Sequence, residues 1–256
     1  VDIDVPQKSK LYCALFLAED DTDLVAYVSR SQAVLGSASS EFTNEIKLPD
    51  AIVTLLSDAG EEQFNYDSDN GYFTLSRSSG IKQNVNYTVV VKQGGEVTEG
   101  TCLLPVPANF DIFYKIDSIY DANNNFYVIR LNGNVKLLTA LKTGVTLMAT
   151  IILEDSSRYL MYNSARDRVA MLSLGETMSY NFTQNTQLFG IRPVAIEIQA
   201  YTITEDVYKY QKYASSIDLS TFFPFAEPVF IHSNMTSGIG IIGAYTKSGN
   251  LRIPIP

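Results

Sequence analysis

One stretch constrains this chain more than any other, Ile196 to Ser216, because the hydrophobic period changes within it from two to about 3.6. Ile196, Ile198 and Ala200 alternate with Glu197, Gln199 and Tyr201, the pattern of a half-buried strand. Thr204 follows as an N-cap, and Glu205 and Asp206 occupy a first turn where the helix dipole favours negative charge. Val207, Tyr210 and Ala214 continue at helical spacing, which predicts a helix over 204–216. The rest of the chain shows strand-type periodicity, so the fold must accommodate one substantial helix among many strands.

From Leu11 to Leu104 the sequence predicts seven short strands: Leu11–Ala18, Leu24–Ser29, Ala51–Leu56, Glu62–Tyr66, Tyr72–Ser76, Tyr87–Lys92 and Val97–Leu104. Asp58-Ala59-Gly60, Asn70-Gly71 and Gly94-Gly95 are hairpin turns by their chemistry. Seven strands at this spacing suggest an immunoglobulin-like β-sandwich over 1–106. Pro105 and Pro107 then stop the last strand and stiffen a joint. A second domain over 107–256 is expected to be a larger antiparallel sandwich or partly closed barrel carrying the helix. Its strands are read at 113–119, 126–131, 145–153, 159–162, 169–172, 178–182 and 196–203, with 228–232, 238–245 and 251–255 closing the sheet. The class is therefore mainly β.

Composition supports a folded chain: of 256 residues 46% are hydrophobic, and the formal net charge of −9 disfavours a nucleic-acid partner. The longest apolar run, Val145 to Leu153, is too short for a membrane-spanning helix. The chain starts at Val1 rather than Met, so a leader is expected to have preceded it. Cys13 and Cys102 fall in the first and last strands of the first domain, where a disulfide would form in an oxidising compartment if those strands are neighbours. Two buried free thiols are the other reading.

Catalytic constellations do not emerge. The single histidine, His232, has no marked nucleophile to activate, and one His with two distant Cys makes a poor zinc site. Asp67-Ser68-Asp69-Asn70-Gly71 resembles the start of a calcium loop, but its glycine comes one position early and a hairpin turn fits better. Glu19, Asp20, Asp21 and Asp23 form a second acidic turn, and weak calcium binding at either remains open. No catalytic, cofactor or metal residue is assigned. Gly238, Gly240 and Gly243 read as a bulged strand closing the second sheet, with a ligand cradle as the alternative; a phosphate loop is disfavoured, because no Lys or Arg stands between Phe230 and Thr246. Phe222, Phe223 and Phe225 around Pro224 are a candidate partner contact; the alternative is that all three rings complete the second core.

The order of these features resembles a family of Bacteroidota outer-membrane lipoproteins catalogued as a domain of unknown function. The resemblance runs from Asp2-Ile3-Asp4-Val5-Pro6 through Asp50–Leu55, Gly71-Tyr72, Tyr87–Val91 and Ile116–Ile119 to the Asp206–Tyr210 helix and the closing Asn234–Tyr245 run. It implies two β-rich domains and a lipid anchor on a cysteine that precedes the Asp2–Pro6 stretch and is not among the residues of this sequence. It also implies a surface location on the outer membrane and a TonB-dependent transporter as partner, with an accessory or ligand-capture role in nutrient uptake. A fimbrial or adhesin-type structural protein is the alternative, and a hydrolase of glycans or peptides a third. The resemblance supplies no catalytic residues.

Overall fold

A computed structural model of the chain describes residues 9–30, 47–121, 126–163, 169–185, 192–220 and 232–255. The strands of its first half are β1 (Leu11–Ala18), β2 (Asp23–Arg30), β3 (Ile52–Ser57), β4 (Gly60–Gln63), β5 (Asn65–Asp67), β6 (Tyr72–Ser76), β7 (Asn86–Gln93) and β8 (Glu96–Leu103). There follow β9 (Phe110–Asp121), β10 (Phe126–Leu137), β11 (Thr143–Leu153), β12 (Arg158–Leu160), β13 (Tyr162–Asn163), β14 (Val169–Leu172), β15 (Thr177–Asn185) and β16 (Pro193–Ile203). The helix α1 (Glu205–Ser220) and a long last strand, β17 (Ile239–Pro254), complete the order. The chain is mainly β, and its sheets are open rather than closed into a barrel.

Two compact units divide it. The first comprises Val1–Leu104 with Tyr213–Tyr245, the second Pro105–Lys212 with Thr246–Pro256. The break after Leu104 falls at the proline joint. The expected 107–256 domain differs in one respect: Tyr213–Tyr245 groups with the first unit. The reason is a pairing that sequence pattern does not reveal, since Ile239–Tyr245 of β17 runs parallel to β1, from Tyr12↔Ile239 to Ala18↔Tyr245. The glycine-rich run therefore joins the first unit's sheet and does not close the second.

In the first unit β17, β1, β2, β6 and β5 lie in that order, and β4, β3, β7 and β8 form a second sheet. Leu15, Leu17, Phe73, Val53, Tyr87, Val89 and Ile242 from both sheets share one buried core, which makes the unit a sandwich. Full burial of a ring such as Phe73 contributes about 1.5–3 kcal/mol. The hairpins follow their turn chemistry: Gly94 and Gly95, between β7 and β8, both have the positive φ that a two-residue turn demands.

The second unit also has two sheets around one core. In one, β12, β11, β16 and the Thr246–Pro254 part of β17 lie in that order, with β14 also on β11; in the other the order is β13, β15, β10, β9. Ile129, Leu131, Leu147, Ile151, Phe182, Ile196 and Ile198 are buried between them. The alternation expected for β16 is present, with Ile196, Ile198 and Ala200 buried to the last ångström. Thr204 caps α1, its hydroxyl accepting from the Val207 amide at 3.4 Å. Lys209 pairs with Glu205 one turn earlier at 2.9 Å.

Candidate functional site

The glycine run has a constructional role. Ser237 donates its hydroxyl to the Val97 carbonyl, the Gly238 amide donates to Thr98 Oγ1 at 2.9 Å, and the Thr236 amide to the Glu99 carbonyl at 2.9 Å. These bonds tie the segment along β8. Asn234 then imitates a strand residue: its Nδ2 donates to the Ile242 carbonyl at 2.8 Å and its Oδ1 accepts from the Ile242 amide at 2.9 Å. Gly240 sits at φ +130°, and a Cβ there would lie 1.9 Å from the Cys13 carbonyl oxygen. Only glycine allows β17 to approach β1 this closely. Beside this clasp an open cleft of about 350 Å³ is lined by Lys10, Glu96, Thr98 and Ser237.

The two cysteines occupy different sheets of the first unit, Cys13 on β1 and Cys102 on β8, and both are buried thiols not joined in a disulfide. This corrects the disulfide reading: the strands are not neighbours, because β1 pairs with β2 and β17 while β8 pairs with β7. Burial pushes the Cys13 thiol up to about 12, so it is an inert core group.

The acidic turns are structural as well. Asp67 Oδ1 accepts from the amides of Asp69 and Asn70 at 3.0 and 3.1 Å, and Oδ2 from the Asn70 side chain at 2.8 Å, closing the β5–β6 hairpin. The Asn70 side chain is the main reason the Asp67 carboxyl is held below its usual range. Asp21 accepts the Ala18 amide at 3.0 Å, and burial raises its carboxyl against that bond. Among the described residues no group of three His, Cys, Asp or Glu side chains is placed to hold a metal. Phe222, Phe223 and Phe225 lie outside the described residues. His232 is half-buried at the start of the clasp.

Two polar arrangements in the second unit were not foreseen. On β16, Glu197 is only 9% exposed. It pairs with Arg158, accepts from Asn250 Nδ2 at 2.8 Å and from Gln199 Nε2 at 3.4 Å, while the Tyr201 hydroxyl donates to Gln199. Every charge in this row is compensated, and its effect is to lock β12, β16 and β17 in register.

The other arrangement lies on the β13-β15-β10-β9 sheet. Asn132-Gly133-Asn134 has the composition of a hairpin turn, yet it runs extended through the middle of β10. Gly133 is required there, because a Cβ would lie 1.9 Å from the Phe113 carbonyl oxygen and 2.6 Å from the Tyr180 hydroxyl. Tyr180 passes beneath the glycine and donates that hydroxyl to the Phe113 carbonyl at 2.8 Å. Burial, with the neighbouring Tyr114, raises the Tyr180 phenol well above its ordinary value. On the opposite face Asn134 stands between Phe113 and Ser179, and Asn132 between Lys115 and Asn181. Ser179 donates to Asn134 Oδ1 at 2.7 Å, and Phe113 is 54% exposed.

A family model described as "Domain of unknown function (DUF4249)" matches residues 1–250. The chain belongs to that family. No curated protein matches it. Among 14 matching solved chains is a DUF4785 family protein from Legionella pneumophila subsp. pneumophila, 14% identical, with a TM-score of 0.23. The match covers 75% of this chain, which spans about half, 52%, of that one.

For this DUF4249 chain the site residues legible beforehand were those with local signatures: the Thr204 cap, the Asp67 turn and the glycine run. The sheet face around Asn132 and Asn134 was missed because Asn-Gly-Asn signals a turn when read alone. The clue available was the apolar alternation of Ile129, Leu131, Val135 and Leu137, which keeps one phase on both sides of the glycine.

Proposed function

We propose that this chain is a non-enzymatic, lipid-anchored protein of the outer-membrane surface, an accessory or ligand-capture partner of a TonB-dependent nutrient transporter. The observation that supports the non-enzymatic part is the use made of the most distinctive residues. Asn234, Gly238 and Gly240 spend their polar groups and their backbone freedom on joining β17 to β1 and β8. A sequence pattern centred on such a clasp describes a scaffold, whose function lies in the surfaces it displays. The membrane and transporter parts rest on the resemblance carried by Asp2–Pro6, the Asp206–Tyr210 helix and the Asn234–Tyr245 run.

The test is affinity purification of the tagged protein from native membranes in mild detergent. A large outer-membrane β-barrel retained in stoichiometric amount is the expected result. Recovery of the protein alone, under conditions that keep other barrel complexes intact, would refute the partnership. Recovery as homopolymers would favour the fimbrial alternative.

A further inference from the structure

The outer face of β9, β10 and β15 is built against local preference. Asparagine is depleted in strands and glycine weakens them, yet both stand at the centre of the sheet. Conflicts of this kind between local sequence and fold concentrate where a surface has a task. Here the inner half of the conflict is resolved by Tyr180 and Gly133, as described. The outer half consists of what the strands then display.

Two cross-strand rows result, Phe113–Asn134–Ser179 and Lys115–Asn132–Asn181, on strands spaced ~4.8 Å apart. Each carboxamide offers donors and an acceptor on one rigid group, which is also what vicinal hydroxyls require of a partner. Ser179 holds Asn134 Oδ1 at 2.7 Å, so that amide is oriented before anything binds. Phe113 presents an exposed ring beside it, a surface for the C–H face of a pyranose.

The charges around these rows narrow the occupant further. Lys136 stands opposite Asp111, Arg130 opposite Asp117, and Lys115 pairs with Asp117 at 3.1 Å. Lys136, Arg130 and Lys115 thus face only Asp111 and Asp117, and the single positive charge left over is far short of the basic patch a polyanion needs. A protein partner would want a cluster of apolar or aromatic anchors, whereas the central rows carry one ring. We infer that this face binds a neutral saccharide, with a sugar ring on Phe113 and its hydroxyls on Asn134, Asn132 and Ser179. This goes beyond the transporter partnership, since the site is complete within one chain.

Electrophoresis of the isolated full chain through native gels containing amylopectin, galactomannan, arabinoxylan or yeast mannan tests the inference. Retarded migration is expected in at least one gel, relative to a non-binding reference protein. Phe113→Ala, at an exposed position, should weaken the retardation at least tenfold while leaving the thermal transition unchanged. Phe113→Leu, which keeps the apolar bulk and removes the ring, should weaken it similarly. Asn134→Ala should do so as well. Normal mobility in all four gels would overturn the inference, and so would retardation that all three variants retain. Because no transporter is present, neither result bears on the partnership, and a failed co-purification would leave this measurement intact.

Discussion

The clasp at Asn234–Gly240 and the Asn132–Asn134 segment of β10 pose the same local problem and resolve it in opposite directions. Both combine asparagine with glycine, two residues that local preference keeps out of strand interiors. In the clasp the asparagine side chain bonds the Ile242 backbone on both sides, and the glycine lies against Cys13. In β10 the glycine is likewise fixed from below, by Phe113 and Tyr180, but Asn134 is directed to solvent. Polar groups consumed by the backbone serve stability, and polar groups left on a rigid face are available for binding. The two regions should therefore respond differently to mutation.

Gly240→Ala should show the largest effect. It combines a φ of +130° with a Cβ 1.9 Å from a carbonyl oxygen, so β1 and β17 must separate. Backbone strain of about 1–3 kcal/mol adds to that displacement. Denaturation should show a loss of at least about 3 kcal/mol, or roughly 6–12 °C in Tm. A fall below 1 kcal/mol would show that the clasp is not what holds this strand.

Asn234→Ala comes next. It removes two hydrogen bonds and leaves the Ile242 backbone groups unpartnered in a largely buried place, an expected loss of about 2–3 kcal/mol. Asn234→Asp, which can still accept but cannot donate, should lie between wild type and Ala. Equal losses for Ala and Asp would mean that only the donated bond matters.

Alkaline pH probes the core beneath the clasp. Burial raises the folded-state value of Cys13 from 9.0 to about 12. Its contribution is therefore fully present below pH 9 and is lost as pH rises from 9 toward 12, where the unfolded chain releases the proton first. The denaturation midpoint should decline over that window, and Cys13→Ala should flatten the decline. In the folded protein at neutral pH the thiol should resist a disulfide reagent, and unfolding should expose both cysteines. Rapid native-state labelling of Cys13 would contradict its placement in the core.

How much of this was legible in sequence follows from range. The strands β1 and β6 were read to the residue, because alternation and turn chemistry act within a few positions. The α1 start was legible through Thr204 for the same reason, although the helix continues to Ser220 rather than stopping near 216. Failures came where a distant partner decided. The destination of Ile239–Tyr245 depends on β1, more than 200 residues earlier. The continuity of β17 through Lys247–Asn250 depends on β16, where Thr202 holds Ser248 at 2.6 Å and Glu197 holds Asn250 at 2.8 Å. Read alone, Lys-Ser-Gly-Asn is a loop.

The smallest expected stability change is also the sharpest test of the contrast. Asn132 sits mid-strand on the solvent side of β10, opposite Lys115 and Asn181. Threonine suits a pleated, half-exposed position better than asparagine does, by up to about 1 kcal/mol across host proteins. If Asn132 serves the fold, Asn132→Thr should destabilise, as Asn234→Ala does. If it serves the surface, the substitution should leave stability within about 0.5 kcal/mol of wild type or raise it slightly, since the removed group holds nothing in place. The saccharide retardation should weaken in the same variant, because threonine lacks the paired donor and acceptor of the amide. A stabilised protein with a weakened ligand response would separate the two uses of an asparagine-glycine pair. A destabilised one with an unchanged response would assign β10 to the same structural role as the clasp.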